Sequence, residues 1–426
     1  MQFTRRLPVL RRLFASVTQS TKTGYAPQPP ATPTWVEDEE PLEGYDSHIG
    51  YLPVAIGDVL GSRYIIKRKL GWGICSTVWL ALQQNSSPPA FSALKILNTA
   101  TSADQKLHEL EFLQVIRDKN GQHPGHAHNL QLLDHFYHDA SEGRHLCLVT
   151  EPLLQNLSSY VLRWPYHAIP MALLKRVTRQ TLLALDYLHT ECNIIHTDVK
   201  PSNILFVPPR GPTSLFALAA ASAQPNRTSV GLDRSGRSIT YTESDNLMYP
   251  MPEEPHAPEA WRDVQIKLTD VGVSCWADNV SGHYSDIISS PALRAPEVCV
   301  GAGWGRPADI WSLGCTIYEL YMGLPLFPAG IREELYPTIH IDLLGKYPSE
   351  LVKGGKYSSS FFNADGSLKN VLPGLPNVTL EQRLRQRHDA DDLFVDFMIR
   401  ILILDPARRP TCQELLAHEW VRFDQE

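Results

Sequence analysis

The chain has 426 residues, enough for about two or three folding units, and its 43% hydrophobic and 20% charged side chains exclude collagen, coiled coil and wholesale disorder as global descriptions. With 39 basic and 46 acidic residues the net charge is -7, which argues against a nucleic-acid partner, since phosphate backbones are held by clustered cations. The charge is unevenly placed: residues 1–36 contain Arg5, Arg6, Arg11, Arg12 and Lys22 and no acid, so the remainder carries 34 basic against 46 acidic residues.

In chain order, the basic leader at 1–36 sets Phe3, Leu7, Leu10, Phe14 and Val17 near one helical face, with Arg5 and Arg12 opposite. An acid-free, Arg-rich, hydroxyl-bearing stretch has the composition of a mitochondrial presequence; a plain basic tail is the competing reading, and Pro8 interrupts the helix. Residues 37–63 read as an acidic linker and N-terminal extension, opened by Glu37, Asp38, Glu39 and Glu40. RYIIKRKL from Arg63, STVWLAL from Ser76 and AFSALKIL from Ala90 alternate as strands do, and short turns between them predict an antiparallel sheet. A helix is expected over 102–117, followed by the strands LQLLDHFYH and HLCLVTE. After Glu151 the pattern turns helical, with MALLKRVTRQTLLALDYLH and DIWSLGCTIYELYM as the clearest runs. The segment 208–262 is dense in Pro, Ser, Gly and Ala without sustained periodicity and is expected to be a largely disordered insert. Seven unpaired-looking cysteines, none in a C-x-x-C pair, fit a reducing compartment, and no uncharged apolar run reaches the roughly 18 residues a bilayer span needs.

The chemistry concentrates in four places. Gly71 and Gly73 sit in the turn of LGWGICSTVW, where backbone amides can approach phosphate oxygens without an intervening Cβ; alone, such a pair is usually only a hairpin. Lys95 lies on the third strand and Glu109 on the next helix, an amine and the carboxylate to hold it charged. In IIHTDVKPSNIL, Asp198 is placed to orient the proton of an attacking hydroxyl, Lys200 to neutralise a transferring phosphate and Asn203 to hold a metal ion. Asp270, in LTDVG, adds a second metal-binding acid suited to Mg²⁺.

These motifs, in this order and spacing, resemble the eukaryotic protein kinases over roughly residues 64–423. The resemblance implies an α+β, bilobal protein kinase-like fold, with a β-rich N-lobe at 64–154 and an α-helical C-lobe at 155–423. It implies MgATP as cofactor, with Leu70, Gly71, Trp72, Gly73, Ser76, Val78, Lys95, Glu151 and Leu153 around the nucleotide and Asn203 and Asp270 on the metal. Asp198, Lys200, Lys95 and Glu109 form the implied catalytic set. Asp309 matches the family's support for the catalytic loop, Arg409 the partner of Glu297, and Ser290 the hydroxyl that bonds the catalytic Asp and Lys. A finer resemblance is to the SR-protein kinases, through EGYDSHIGYLPVAIGD, GWG-x-x-STVWLA, HTD in place of HRD, GAGWG and HIDLLGKYP. That family implies protein substrates, arginine/serine-rich ones linked to splicing among them, a monomer, and a cytoplasmic and nuclear address. Only Glu333 and Glu334 closely precede Asp342 at the expected docking helix, so arginine selection should be weakened. Thr197 replaces the arginine on which a phosphorylated activation loop docks, so activity without such phosphorylation is expected. A scaffold that keeps the fold without turnover is the rival reading, and the presence of every catalytic side chain weighs against it.

Overall fold

A computed structural model describes residues 39–422, apart from 46–48, 88, 105–107, 142, 211–213, 215–227, 233–235, 280–284, 373 and 376–377. The basic leader lies outside these described residues.

Six strands form one antiparallel sheet in the order β1-β2-β3-β4-β6-β5: β1 Val59–Leu60, β2 Tyr64–Gly73, β3 Ser76–Gln83, β4 Phe91–Leu97, β5 Leu132–Ala140 and β6 Gly143–Thr150. The period of two sorts each central strand between two buried faces. Trp79, Ala81, Leu94, Ile96, Cys147 and Val149 pack outward under Leu52 and Val54 of the N-terminal extension. Leu80, Ala93, Leu97, Leu146 and Leu148 pack inward with Phe112, Leu113 and Ile116. The expected helix over 102–117 is two helices, α1 Thr99–Ala103 and α2 Glu109–Asp118. Asn98 caps α1 by accepting from the Thr101 amide at 2.8 Å, and the chain at Asp104 is extended, so the register restarts before Glu109.

The second lobe is mainly helical, built on α3 Leu157–Tyr160, α4 Met171–Thr190, α5 Pro296–Val300, α6 Pro307–Met322 and α7 Tyr336–Leu344, with further helices to residue 422. Helix α6 is buried on nearly every side, starts with Pro307 and ends at left-handed Gly323, and its Asp309, Ser312 and Thr316 side chains bond internally to the backbone around them. Short two-stranded pairings flank the cleft: β7 Ile194–Ile195 with β12 Cys275–Trp276, and β8 Ile204–Phe206 with β11 Ile266–Leu268. These two pairings fix the loops carrying Asp198, Asn203 and Asp270 against each other.

The insert departs from expectation. Within 208–262, β9 Thr228–Leu232 pairs in register with β10 Ser238–Thr242, and residues from Ser238 to Arg262 are described throughout. Ile239 and Tyr241 join Leu42, Tyr45 and Tyr51 of the N-terminal extension in a small apolar cluster. Farther on, Tyr249 stacks on Phe206 at 4.4 Å, and Trp261 is fully buried. Composition predicted disorder because the apolar residues here follow neither period: they are buried one at a time against both lobes rather than along one face.

Candidate functional site

The register of the sheet assembles one wall of the cleft. Gly71 pairs with Val78, and Val78 with Lys95, so three strands contribute one transverse row, and the directly paired Val78 and Lys95 share a face. Leu70 and Ser76 are buried at either side of the turn, Trp72 and Gly73 complete it, and Leu153 is buried just past β6. Lys95 Nζ donates to Glu109 Oε1 at 2.5 Å and to Asp270 Oδ1 at 2.9 Å, so a single amine ties the sheet, α2 and the loop after β11 together. Burial alone would lower the lysine's pKa, but the Asp270 and Glu109 carboxylates outweigh it and raise it, keeping the amine charged. The Lys95 charge in turn holds Asp270 down to about 2, so its carboxylate is an anion at every physiological pH.

On the facing lobe, Lys200 Nζ lies 2.7 Å from Asp198 Oδ2. Asn203 Nδ2 donates to the Asp198 carbonyl at 2.9 Å and to its Oδ2 at 3.1 Å, which leaves the amide oxygen as an available acceptor. The loop stands on Asp309 at the first turn of α6, whose carboxylate accepts from the His196 amide at 2.8 Å, the Thr197 amide at 2.7 Å and His189 Nε2 at 2.9 Å. Thr197, at φ 70°, and Asp270, at φ 63°, both take the left-handed conformation, which a β-branched residue adopts only when its surroundings impose it. For Thr197 those surroundings are Asp309 at its amide and the Val273 carbonyl, which its hydroxyl donates to at 2.8 Å. Asp198 and Thr197 also line a cavity of about 280 Å³ with Val273, Cys275, Ser285, Ile287, Ile288, Ser289 and Trp304.

One expected contact differs. Ser289, not Ser290, reaches the loop carrying Asp198, donating to the Thr197 carbonyl at 2.7 Å, while Ser290 is exposed. The backbone turns left-handed at Ser289, φ 60°, which exchanges the sides of the two serines. The Glu151 side chain is held by Lys267 Nζ at 2.6 Å and by the Gln131 amide at 3.0 Å. Glu297 and Arg409 meet as expected, at 2.8 and 3.1 Å, both buried. The sequence pattern assigned no role to Tyr51 and Asn98, which contact the β2–β3 turn from outside; Tyr51 lies within the EGYDSHIGYLPVAIGD stretch that carries the finer resemblance, while nothing local marks Asn98.

The donor set suits a small hard cation that keeps water and substrate phosphates as ligands: one ionised carboxylate at Asp270 and one amide oxygen at Asn203, near Asp198. No group of three or more His, Cys, Asp or Glu side chains able to hold a metal by itself occurs among the described residues, which excludes an all-protein cage there.

The protein kinase domain family matches residues 64–226 and 244–421. The serine/threonine-protein kinase SRPK of Physarum polycephalum is 32% identical over 404 residues, 90% of this chain and 91% of that protein. Protein kinase dsk1 of Schizosaccharomyces pombe is 29% identical, covering 90% and 85%, and human SRSF protein kinase 3 is 27% identical, covering 87% and 88%. Among solved structures, the kinase domain PF14_0431 matches with a TM-score of 0.64 at 22% identity, over 87% of this chain and 99% of that one, a likeness of fold. A lysine clamped between two carboxylates across the cleft from a buttressed Asp-Lys-Asn loop agrees with this kinship, and the chain belongs to the SRPK family of serine/threonine protein kinases.

Proposed function

We propose that this kinase transfers the γ-phosphate of ATP to serine hydroxyls of protein substrates through the residues described above. The observation that carries this reading is the Lys95–Glu109–Asp270 cluster, which requires both lobes and α2 to be in place at once. Lys95 binds and orients the nucleotide phosphates, and Glu109 keeps the amine from swinging away. Asp198 holds the acceptor hydroxyl and takes its proton, while Lys200, beside it, balances charge on the transferring group. Asn203 and Asp270 would hold Mg²⁺, which when bound neutralises the charge that builds on the phosphate oxygens.

The preferred substrates in this reading are serines in arginine-rich segments. Support comes from the SRPK kinship and from a groove of about 730 Å³ beside α7, whose lining includes Asp342, Glu381 and Asp405 against Lys346 and Arg408. Dependence on arginine should be modest. Asp342 already faces Arg383 at 3.9 Å, and Glu333 bonds Arg294 at 2.9 Å, so an incoming guanidinium must compete with internal cations. For compartment, the two readings are the cytoplasmic and nuclear address expected from the sequence resemblance and mitochondrial import through the acid-free leader; a reporter fused to residues 1–40 distinguishes them.

The test is phosphorylation of a peptide array in which flanking arginines are varied, with Asp198→Ala as control. Serine phosphorylation that the control loses, rising with flanking arginine, is the expected result. Absence of transfer to any peptide would refute the kinase reading, and transfer indifferent to arginine would refute the substrate preference alone.

A further inference from the structure

Outside the cleft, the N-terminal extension runs across the far side of the β2–β3 turn and places one buried side chain on it. Tyr51 is 2% exposed, and its hydroxyl lies 2.9 Å from the Gly73 carbonyl and 2.9 Å from the Ile74 carbonyl, sharing its proton between them. Asn98 adds two donors from the same side: Nδ2 to the Ile74 carbonyl at 3.0 Å and the backbone amide to the Cys75 carbonyl at 2.9 Å. In a planar trans peptide the N–H points opposite to the preceding C=O. Holding the Gly73 and Ile74 carbonyls outward therefore turns the Ile74 and Cys75 amides to the other side, and neither donates a hydrogen bond among the described residues. Successive amides turned to one side of a tight turn are an anion site.

Tyr51 is itself held on two flanks. A Cβ on Gly44 would lie 2.3 Å from the Tyr51 ring, and one on left-handed Gly50 would lie 2.0 Å from Thr99 Oγ1, so these glycines let the extension lie flat on the turn. Beside them, buried Lys69 of β2 donates to Glu39 at 2.7 Å, to Glu40, and to the Thr242 carbonyl of the insert hairpin at 2.8 Å, while Tyr45 donates to Glu40. Burial, with the Glu40 carboxylate adding to it, pushes the Tyr51 phenol well above its ordinary pKa, so it remains a donor across the working range.

We propose that Tyr51 is a positioning residue for phosphoryl transfer: from outside the cleft it fixes the β2–β3 turn with the Ile74 and Cys75 amides presented to the nucleotide's phosphates, assisted by Asn98. This rests on the kinase reading, since it assigns the turn to phosphate binding. Its readout is nucleotide affinity, which a merely structural tyrosine would leave alone.

The experiment uses full-length Tyr51→Phe, which keeps the ring and deletes the hydroxyl, with Tyr45→Phe, which deletes a neighbouring buried hydroxyl that has no contact with the turn. Calorimetric binding of a non-hydrolysable MgATP analogue is measured beside steady-state kinetics on a serine peptide. Tyr51→Phe should raise the analogue Kd and the KM for ATP about 3- to 10-fold, the effect of one neutral hydrogen bond, with peptide KM and saturating kcat within about twofold. Asn98→Ser retains a capping hydroxyl for α1 but is too short to reach Ile74, and should shift both values in the same direction. Unchanged nucleotide values in Tyr51→Phe and Asn98→Ser would overturn the proposal, as would an equal rise in Tyr45→Phe. A wild-type protein that binds the analogue without transferring phosphate would refute the kinase reading instead, and the binding arm would still decide the role of Tyr51.

Discussion

Asp198 is held by its backbone as much as by its neighbours: Asn203 bonds both its carbonyl and its carboxylate, and Lys200 balances its charge. Replacing it with Asn preserves the shape and removes the proton acceptor. Asp198→Asn should therefore lower kcat by about 10²- to 10⁴-fold while analogue binding stays near wild type; a loss confined to nucleotide affinity would count against its assignment to the acceptor hydroxyl. At this scale the sequence was highly legible. Asp198, Lys200 and Asn203 are local in the chain, and a turn of six residues leaves few ways to arrange them. Ser289 and Ser290 were not legible, because which of two adjacent serines faces the catalytic loop depends on one left-handed dihedral.

Among the elements, α5 and α6 are joined to the end of the chain by a buried ion pair. Arg409 bonds Glu297 twice and also donates to the Pro307 carbonyl at 2.6 Å and the Ile403 carbonyl at 3.0 Å. Removing the guanidinium leaves a carboxylate buried without its cation, so Arg409→Met should cost about 3–5 kcal/mol in urea unfolding, and adding Glu297→Gln should recover part of it. Helix α7 carries a different liability. His340 is buried among Trp311, Phe327, Tyr336 and Tyr347, with Nδ1 2.5 Å from the Tyr347 hydroxyl, and burial, aided by the Arg409 charge, drives its pKa down to about 3. Below its ordinary pKa of about 6.5 the unfolded chain takes up a proton that the folded chain declines until about pH 3. This group's contribution is therefore fully present above pH 6.5 and falls as pH drops through that window, with a limiting slope of about 1.4 kcal/mol per unit. His128, also lowered by burial, acts in the same direction, so the test is a difference. The loss of stability between pH 7 and pH 5 should be smaller in His340→Gln than in wild type; equal losses would show that His340 does not titrate on unfolding.

Across the whole molecule, the described residues between Asp286 and Glu297 are held by unmodified side chains. Asp286 pairs with Lys356 at 2.5 Å and accepts from Trp304 Nε1 at its carbonyl, Ser289 holds the Thr197 carbonyl, and Arg294 reaches the Ile288 and Ser289 carbonyls. The cavity under this segment is lined by Thr197, Val273, Cys275, Ile287 and Ile288, and no guanidinium lies among its described lining residues to receive a phosphate. Phosphatase-treated enzyme should keep at least about half its kcat; a collapse of activity on dephosphorylation would show that a phosphate is needed to order the segment.

The sequence by itself determined the fold class, a β-rich lobe followed by a helical one, and membership in the kinase family, and it named the candidate catalytic side chains. Strand alternation, helical periodicity and short loops are local signals, and the catalytic loop is a local motif. The resemblance anticipated Glu109 on Lys95 and Asp309 under the Asp198 loop, and tertiary structure supplied the distances and the added Lys95–Asp270 contact. The Lys95–Asp270 contact spans 175 residues and the Asp309 buttress more than 100, and no local pattern encodes either distance. It also decided that Leu42, Tyr45 and Tyr51 of the extension pack with Ile239 and Tyr241 of the insert, and that Lys69 bonds the Thr242 carbonyl. Their apolar residues are too sparse to specify a face alone, and the described ones are buried against surfaces supplied by the sheet, the β2–β3 turn and the second lobe.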